Sequence, residues 1–200
     1  MGPSLARGAP ATTVYRLKIT LRSVRPPVWR RIEVRSDVAL DEFSGLLEAA
    51  MGWWGCHLHS FSVDGAVYGR ADPDDWLRCG TRDESAHQLG DVLGEVGAKM
   101  CWDYDFGDGW QHDIEVEAIE VADSGVTYPR CVAGRRACPP EDCGGPWGYE
   151  ELLVAIADEH HPRHDELIEW LPSGWDPAHF DPAESTRSML TPRPLVDDWL

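Results

Sequence analysis

Two hundred residues, of which 42% are hydrophobic, suit one domain with enough apolar mass for a core. A formal charge of −17 argues against nonspecific binding to a phosphate backbone, and no apolar run approaches the ~20 residues that span a bilayer. The opening MGPSLARGAPATT lacks the apolar stretch of a signal peptide and has Ala6 where a myristoylation signal needs Ser or Thr, so a cytoplasmic protein with reduced cysteines is expected.

The expected organisation is a flexible tail over 1–12, a domain over 13–190 and a second tail over 191–200. Residues 13–23 alternate, with Leu17, Ile19 and Leu21 on one face and basic residues opposite. The RPP at 25–27 breaks the run, and 28–34 resumes as an antiparallel partner. Leu40, Phe43, Leu46, Leu47, Ala50 and Met51 recur at helical spacing, with Asp41 and Glu42 in the first turn and Gly52 as the stop. Residues 57–69 read as two short strands joined at Asp64-Gly65, 70–87 as an irregular polar loop, and 87–97 as a short helix ending at Gly97.

Residues 98–121 form a hairpin whose register decides which side chains share a face. A two-residue loop, Asp108-Gly109, would pair Asp105 with His112 and set an aromatic row against an acidic one. A three-residue loop, Gly107-Asp108-Gly109, pairs Phe106 with Trp110 and Tyr104 with His112, which makes one face apolar throughout. The second register is preferred, and it puts Gly109 in the left-handed position. Asp105 and His112 then lie on opposite faces. After the Cys/Pro/Gly-rich 128–148, a helical stripe runs from Tyr149 through Leu152, Leu153, Ile156 and Ala157 to His160. Asp181, Pro182 and Glu184 have the form of a capping box. The fold class is α+β: an antiparallel or mixed sheet with a strand-strand-helix start, covered by helices.

Charge is unevenly spread. Residues 1–36 hold eight Lys/Arg against one acid, Glu33. Arg22, Arg25, Arg30 and Arg31 are therefore the candidate contacts to nucleic acid or an acidic partner. The plainer alternative is a solvated strand face whose arginines neutralise acids elsewhere.

Familiar catalytic sets are missing. DFG at 105–107 has neither a Gly-rich phosphate loop nor an H-R-D-L segment with it, the carboxylates of DYDFGD do not follow an EF-hand loop, and there is no G-x-S-x-G. Two metal-ligand patterns stand out. His57 and His59, two apart on an expected strand, share a face and suit zinc. Cys131, Cys138 and Cys143 crowd a loop stiffened by Pro139-Pro140, where a structural zinc could take a fourth ligand from His57, His59 or His112. Packed apolar cysteines and hydrogen-bonded histidines are the competing readings. Glu141 and Asp142 read as ordinary acids near a helix start.

Five motifs in order, LRSVRPPVWRRIEV, GWWGCHLHSFSV, YDFGDGWQHDIEVE, YPRCVAGRRACPPEDCGGPWGYEELL and FDPAE, resemble the plasmid pRiA4b ORF-3-like domain family over roughly residues 13–190. The resemblance implies an α+β fold. It also implies that the positions of His57, His59, Asp105, Asp108, His112, Cys131, Cys138 and Cys143 matter to the family through folding, ligand or metal. Family members occur on plasmids and beside transposases, but no recombinase pattern is present here. One local departure is Ala39, which stands where a helix-capping residue is usual. The favoured expectation is a non-enzymatic accessory or interaction module of a mobile element. The alternatives are a metal-dependent hydrolase-type enzyme using the His, Asp and Cys groups, and a nucleic-acid-associated protein working through the basic hairpin.

Overall fold

The computed structural model describes residues 13–70 and 80–191. The expected tail over 1–12, and the expected tail over 191–200 apart from Thr191, lie outside the described residues. Among those described, eight strands form one mixed sheet in the order β5-β4-β3-β6-β7-β1-β2-β8. They are β1 (Thr13–Leu21), β2 (Trp29–Arg35), β3 (His59–Val63), β4 (Ala66–Gly69), β5 (Thr81–Asp83), β6 (Lys99–Tyr104), β7 (Trp110–Val121) and β8 (Arg130–Arg135). Neighbouring strands are antiparallel except β4 and β5, which run parallel. The helices are α1 (Leu40–Met51), α2 (Leu89–Val92), α3 (Gly145–Ala157), α4 (His164–Trp170) and α5 (Pro182–Leu190). None is long and apolar enough to cross a membrane among the described residues.

Alternation builds the core as expected. Leu17, Ile19 and Leu21 of β1 join Ile32 and Val34 of β2, Phe61 of β3, Trp102 and Tyr104 of β6, and Ile114 and Val116 of β7 in one buried cluster. Leu40, Phe43 and Leu47 of α1 belong to the same cluster. Helix α1 ends where Gly52 turns left-handed at φ 100° and both Gly52 and Trp53 donate to the Glu48 carbonyl at 2.9 Å. Its N-cap, Ala39, makes no side-chain cap bond. Asp181 does cap α5, accepting from the Ala183 N–H at 2.8 Å, but Glu184 turns to His179 at 2.9 Å instead of closing the box.

The hairpin differs from both expected registers. Tyr104 pairs with Trp110, Trp102 with His112 and Met100 with Ile114, so the loop has five residues, Asp105 to Gly109. A shift of two residues keeps the parity, so the expected faces survive, and Gly109 is left-handed at φ 69°. What changes is the end of β6. Asp105 leaves the strand at φ 55° and turns inward, where it is buried, and Phe106 is left 46% exposed. Asp105 therefore does not lie on the outward acidic face.

Three elements were not expected. Strand β8 lies inside the Cys/Pro/Gly-rich segment, α4 follows α3, and β5 with a 3-10 turn at Glu84–Ala86 occupies part of the polar stretch read as an irregular loop. The expected helix over 87–97 shrinks to α2, because the chain leaves helical geometry at the C-cap Leu93 (φ −113°, ψ 83°) and turns left-handed at Gly97, φ 88°.

The basic first hairpin is largely neutralised within the sheet. Glu33 receives Arg16 at 2.9 Å and Arg130 at 2.6 Å, Arg22 meets Asp113 at 2.5 Å, and Arg31 pairs with Glu117. Burial alone would raise the Glu33 carboxyl, but the two arginines outweigh it and hold it low. Arg30 is not on that face at all. It follows the inward parity of Ile32 and Val34 and is 2% exposed, so it cannot serve as a surface contact to nucleic acid.

Candidate metal centre

Three chain segments meet at one end of β6: the exit from α1 (53–57), the β6–β7 loop (105–109) and the stretch before α3 (138–145). Trp53 locks them together. Its ring stacks on Tyr104 at 4.8 Å and meets Trp102, Trp110 and His112, while its indole N–H donates to the Pro139 carbonyl at 2.9 Å. Glu141 Oε1 adds two more ties, accepting from the Trp54 N–H at 2.8 Å and the Tyr104 hydroxyl at 3.0 Å.

Asp105 and Asp108 shape the loop beneath. Asp105 Oδ1 accepts from the N–H groups of Gly107 (3.0 Å) and Asp108 (3.3 Å), closing the loop on itself. Asp108 Oδ2 accepts from the Gly144 N–H at 3.1 Å, which docks the segment before α3 onto the hairpin. The approach is tight. A Cβ on Gly145 would sit 2.3 Å from the Asp108 carbonyl oxygen, and φ 69° there also favours glycine.

This framework brings three carboxylate oxygens round one imidazole nitrogen. His57 Nε2 lies 3.3 Å from Asp142 Oδ1, 3.6 Å from Asp105 Oδ2 and 3.7 Å from Glu141 Oε2. Yet His57 Nε2 and Glu141 Oε2 are both occluded from solvent and have no hydrogen-bond partner. Burial raises the Glu141 carboxyl above its ordinary value, although bonds from Trp54 and Tyr104 pull the other way. Asp142 stands in the left-handed region at φ 57°, with its side chain 71% exposed.

Among the described residues, two groups of ligand-type atoms lie within 4.8 Å of one another: His57–Asp105–Asp142 and Cys56–His57–Glu141. Of the residues singled out in the sequence, His57 and Asp105 come together here, with Asp108 as their scaffold. The others lie outside both groups. His59 Nε2 is taken by Glu84 at 2.9 Å. The imidazole of His112, fully buried, bonds the Trp102 carbonyl through Nδ1 at 3.2 Å, and burial pushes its pKa down to about 3. Cys131 sits on β8 with its thiol toward the Ala133 carbonyl at 3.4 Å. Burial raises the Cys131 and Cys138 thiols and pushes Cys143 up to about 12, as expected of packed cysteines.

Glu141 and Asp142 were misassigned by the sequence. The N-cap of α3 is Gly144, and the helix has no acid in its first turn, so these residues do not cap it. The signal available in the sequence was the position of two adjacent acids in a turn-rich loop that follows Pro139-Pro140.

Comparison with known proteins agrees with the fold. The family described as plasmid pRiA4b ORF-3-like protein matches residues 13–184. An uncharacterized protein of Sinorhizobium fredii (strain NBRC 101917 / NGR234), y4hQ, is 39% identical over 187 residues, covering 93% of this chain and 92% of its own. The crystal structure of MM3350, a protein of unknown function from Methanosarcina mazei Go1, superposes with a TM-score of 0.78 at 34% identity, over 87% of this chain and 98% of that one.

Proposed function

The chain belongs to the plasmid pRiA4b ORF-3-like family, and we propose that it is a metal-dependent, hydrolase-type protein in which His57, Asp105 and Asp142 hold one divalent transition-metal ion. The spacing around His57 Nε2 carries this reading. Two donors bound about 2.1 Å from one tetrahedral ion sit about 3.4 Å apart. The separations of 3.3 Å to Asp142 and 3.6 Å to Asp105 fit that spacing, while Nε2 makes no hydrogen bond to any of the three carboxylates. Three carboxylates gathered at one imidazole also repel one another unless a cation joins them. One nitrogen and two oxygen donors suit zinc or a neighbouring borderline ion.

Three protein ligands with an exposed edge at Asp142 describe an open site, in contrast to the closed four-ligand shell of a structural zinc. The ion, when bound, supplies Lewis acidity and acidifies a water. Glu141 is the proton acceptor: Trp54 and Tyr104 fix its Oε1 and leave Oε2 free toward His57. Tyr104, Trp53 and Asp108 position these groups.

Zinc titration of tag-free, chelator-stripped protein tests the reading. One equivalent should bind, and His57→Gln or Asp105→Asn should weaken binding at least tenfold, whereas Cys131→Ala should not. Retention of the ion by His57→Gln, or no uptake by the unaltered protein, would sink it.

A further inference from the structure

A cavity of about 480 Å³ opens beside the metal centre, between the end of α1, the 137–142 loop and the α4–α5 region. Its walls are aromatic: Trp54, Trp170, Trp175 and Phe180 all line it. Trp54 is 77% exposed and Trp170 46%, so much apolar surface is left uncovered. The volume falls in the range of small-molecule sites, roughly 300–1,000 Å³.

Arg30 lines the same cavity from below. Its Nε–H donates to the Ala50 carbonyl at 2.9 Å, and Nη1 donates to the carbonyls of Trp29 (2.9 Å) and Arg135 (3.2 Å). Three of the five guanidinium N–H groups are thereby satisfied, and the carbonyl at the end of α1 is a favourable place for a cation. The two on Nη2 have no hydrogen-bond partner among the described residues, and Arg30, though only 2% exposed, is part of the cavity lining. No carboxylate among the described residues pairs with Arg30. A cation this buried is costly without a counter-ion, and Phe180, whose ring lies 4.1 Å from the guanidinium carbon, offsets only part of that cost. The stacking is built in. A Cβ on Gly134 would stand 2.4 Å from the Phe180 ring, so only glycine on β8 lets the ring lie there.

We propose that this cavity binds a small organic monoanion, a carboxylate on a flat aromatic body, with the carboxylate on Arg30 Nη2 and the ring among the tryptophans. A monoanion is preferred over a dianionic phosphate because Glu141, Asp142, Asp181 and Glu184 also line the cavity. The proposal deepens the metal reading without depending on it. Glu141 and Asp142 border both sites, so an ion at His57 lowers the negative potential at the shared wall and tightens the carboxylate.

Tryptophan fluorescence of the full chain reads the binding. In chelated protein, phenylacetate should give a saturable change at a concentration at least tenfold lower than its neutral isostere phenylacetamide, and phenyl phosphate should be weaker than phenylacetate. Arg30→Gln should abolish the preference for phenylacetate over phenylacetamide. Because that variant loses three bonds to backbone carbonyls that help hold the fold, Ser188→Trp, on the exposed side of α5, serves as the second variant and should block phenylacetate by filling the cavity. Equal binding of acid and amide, tighter phenyl phosphate, or undiminished phenylacetate binding by folded Ser188→Trp would overturn the proposal. Zinc should then tighten phenylacetate several-fold. Carboxylate binding without this zinc effect supports the cavity and counts against the metal reading alone.

Discussion

On the outer face of β1, β2, β7 and β8, each of three carboxylates meets at least one arginine: Glu33 lies between Arg16 and Arg130, Glu117 against Arg31, Asp113 against Arg22. At the far end of the hairpin, Asp105, Glu141 and Asp142 gather round a single imidazole, and among the described residues no Lys or Arg pairs with them. Both regions are acidic, yet the first carries its own cations and the second does not. A protein at −17 can satisfy its carboxylates with arginine where the sheet supplies it. Where three of them converge, partly occluded, on a nitrogen without a hydrogen bond, the partner we propose is a cation from solution.

The contrast can be broken most severely at Trp53, which holds the three segments of the centre together. Trp53→Ala should cost about 3–5 kcal/mol in denaturant unfolding and abolish metal uptake in whatever protein remains folded. Loss of uptake with stability unchanged would mean that Trp53 is not the lock.

Acid separates His112 from the centre. With a folded pKa of about 3 against an ordinary value near 6.5, the unfolded chain binds the proton first. The stability associated with neutral His112 is complete above about pH 6.5 and drains as pH falls toward 3, by about 2 kcal/mol at pH 5. His112→Gln should flatten that stretch of the stability–pH curve by one proton. An unchanged slope would show that His112 does not control it.

Charge removal sharpens the comparison directly. Glu33→Gln removes the carboxylate shared by Arg130 and Arg16, the latter keeping only Glu120 at 3.5 Å, and should cost about 1–2 kcal/mol, the partial exposure of those arginines keeping it below the cost of a sealed pair. Asp142→Asn in chelated protein should instead be neutral or stabilising by about 0.5 kcal/mol, since it relieves repulsion. With zinc present its sign should reverse. Thermal or urea unfolding with and without chelator measures both, and a destabilising Asp142→Asn in chelated protein would remove the distinction between the two regions. The smallest effect belongs to α1, whose Ala39 cap lacks a side-chain bond: Ala39→Ser should gain about 0.5–1 kcal/mol.

Much of the fold was legible because period-two and helical patterns are local: Leu17-Ile19-Leu21 and Leu40-Phe43-Leu47 declare their buried faces unaided. Strand β8 was hidden because Arg130–Arg135 carries little alternation of its own and pairs only by lying against β2. The hairpin faces were readable but the loop length was not, since the left-handed turn at Asp105 takes it off the strand and inward. The centre was half legible. His57 and Asp105 drew attention by residue type, and Asp108 by resemblance. Asp142 could not be placed, because its position depends on the Asp108–Gly144 bond and on close approach at Gly145. Cys131, Cys138 and Cys143 looked like ligands by proximity in sequence, but among the described residues none of them joins a group of three ligand-type atoms.

X-ray absorption at the zinc edge on tag-free protein loaded with one equivalent examines the His57 centre most directly. The expected first shell is nitrogen and oxygen at about 2.0–2.2 Å, with the imidazole contribution gone in His57→Gln. Sulfur at about 2.3 Å would contradict it, by moving the ion to cysteine.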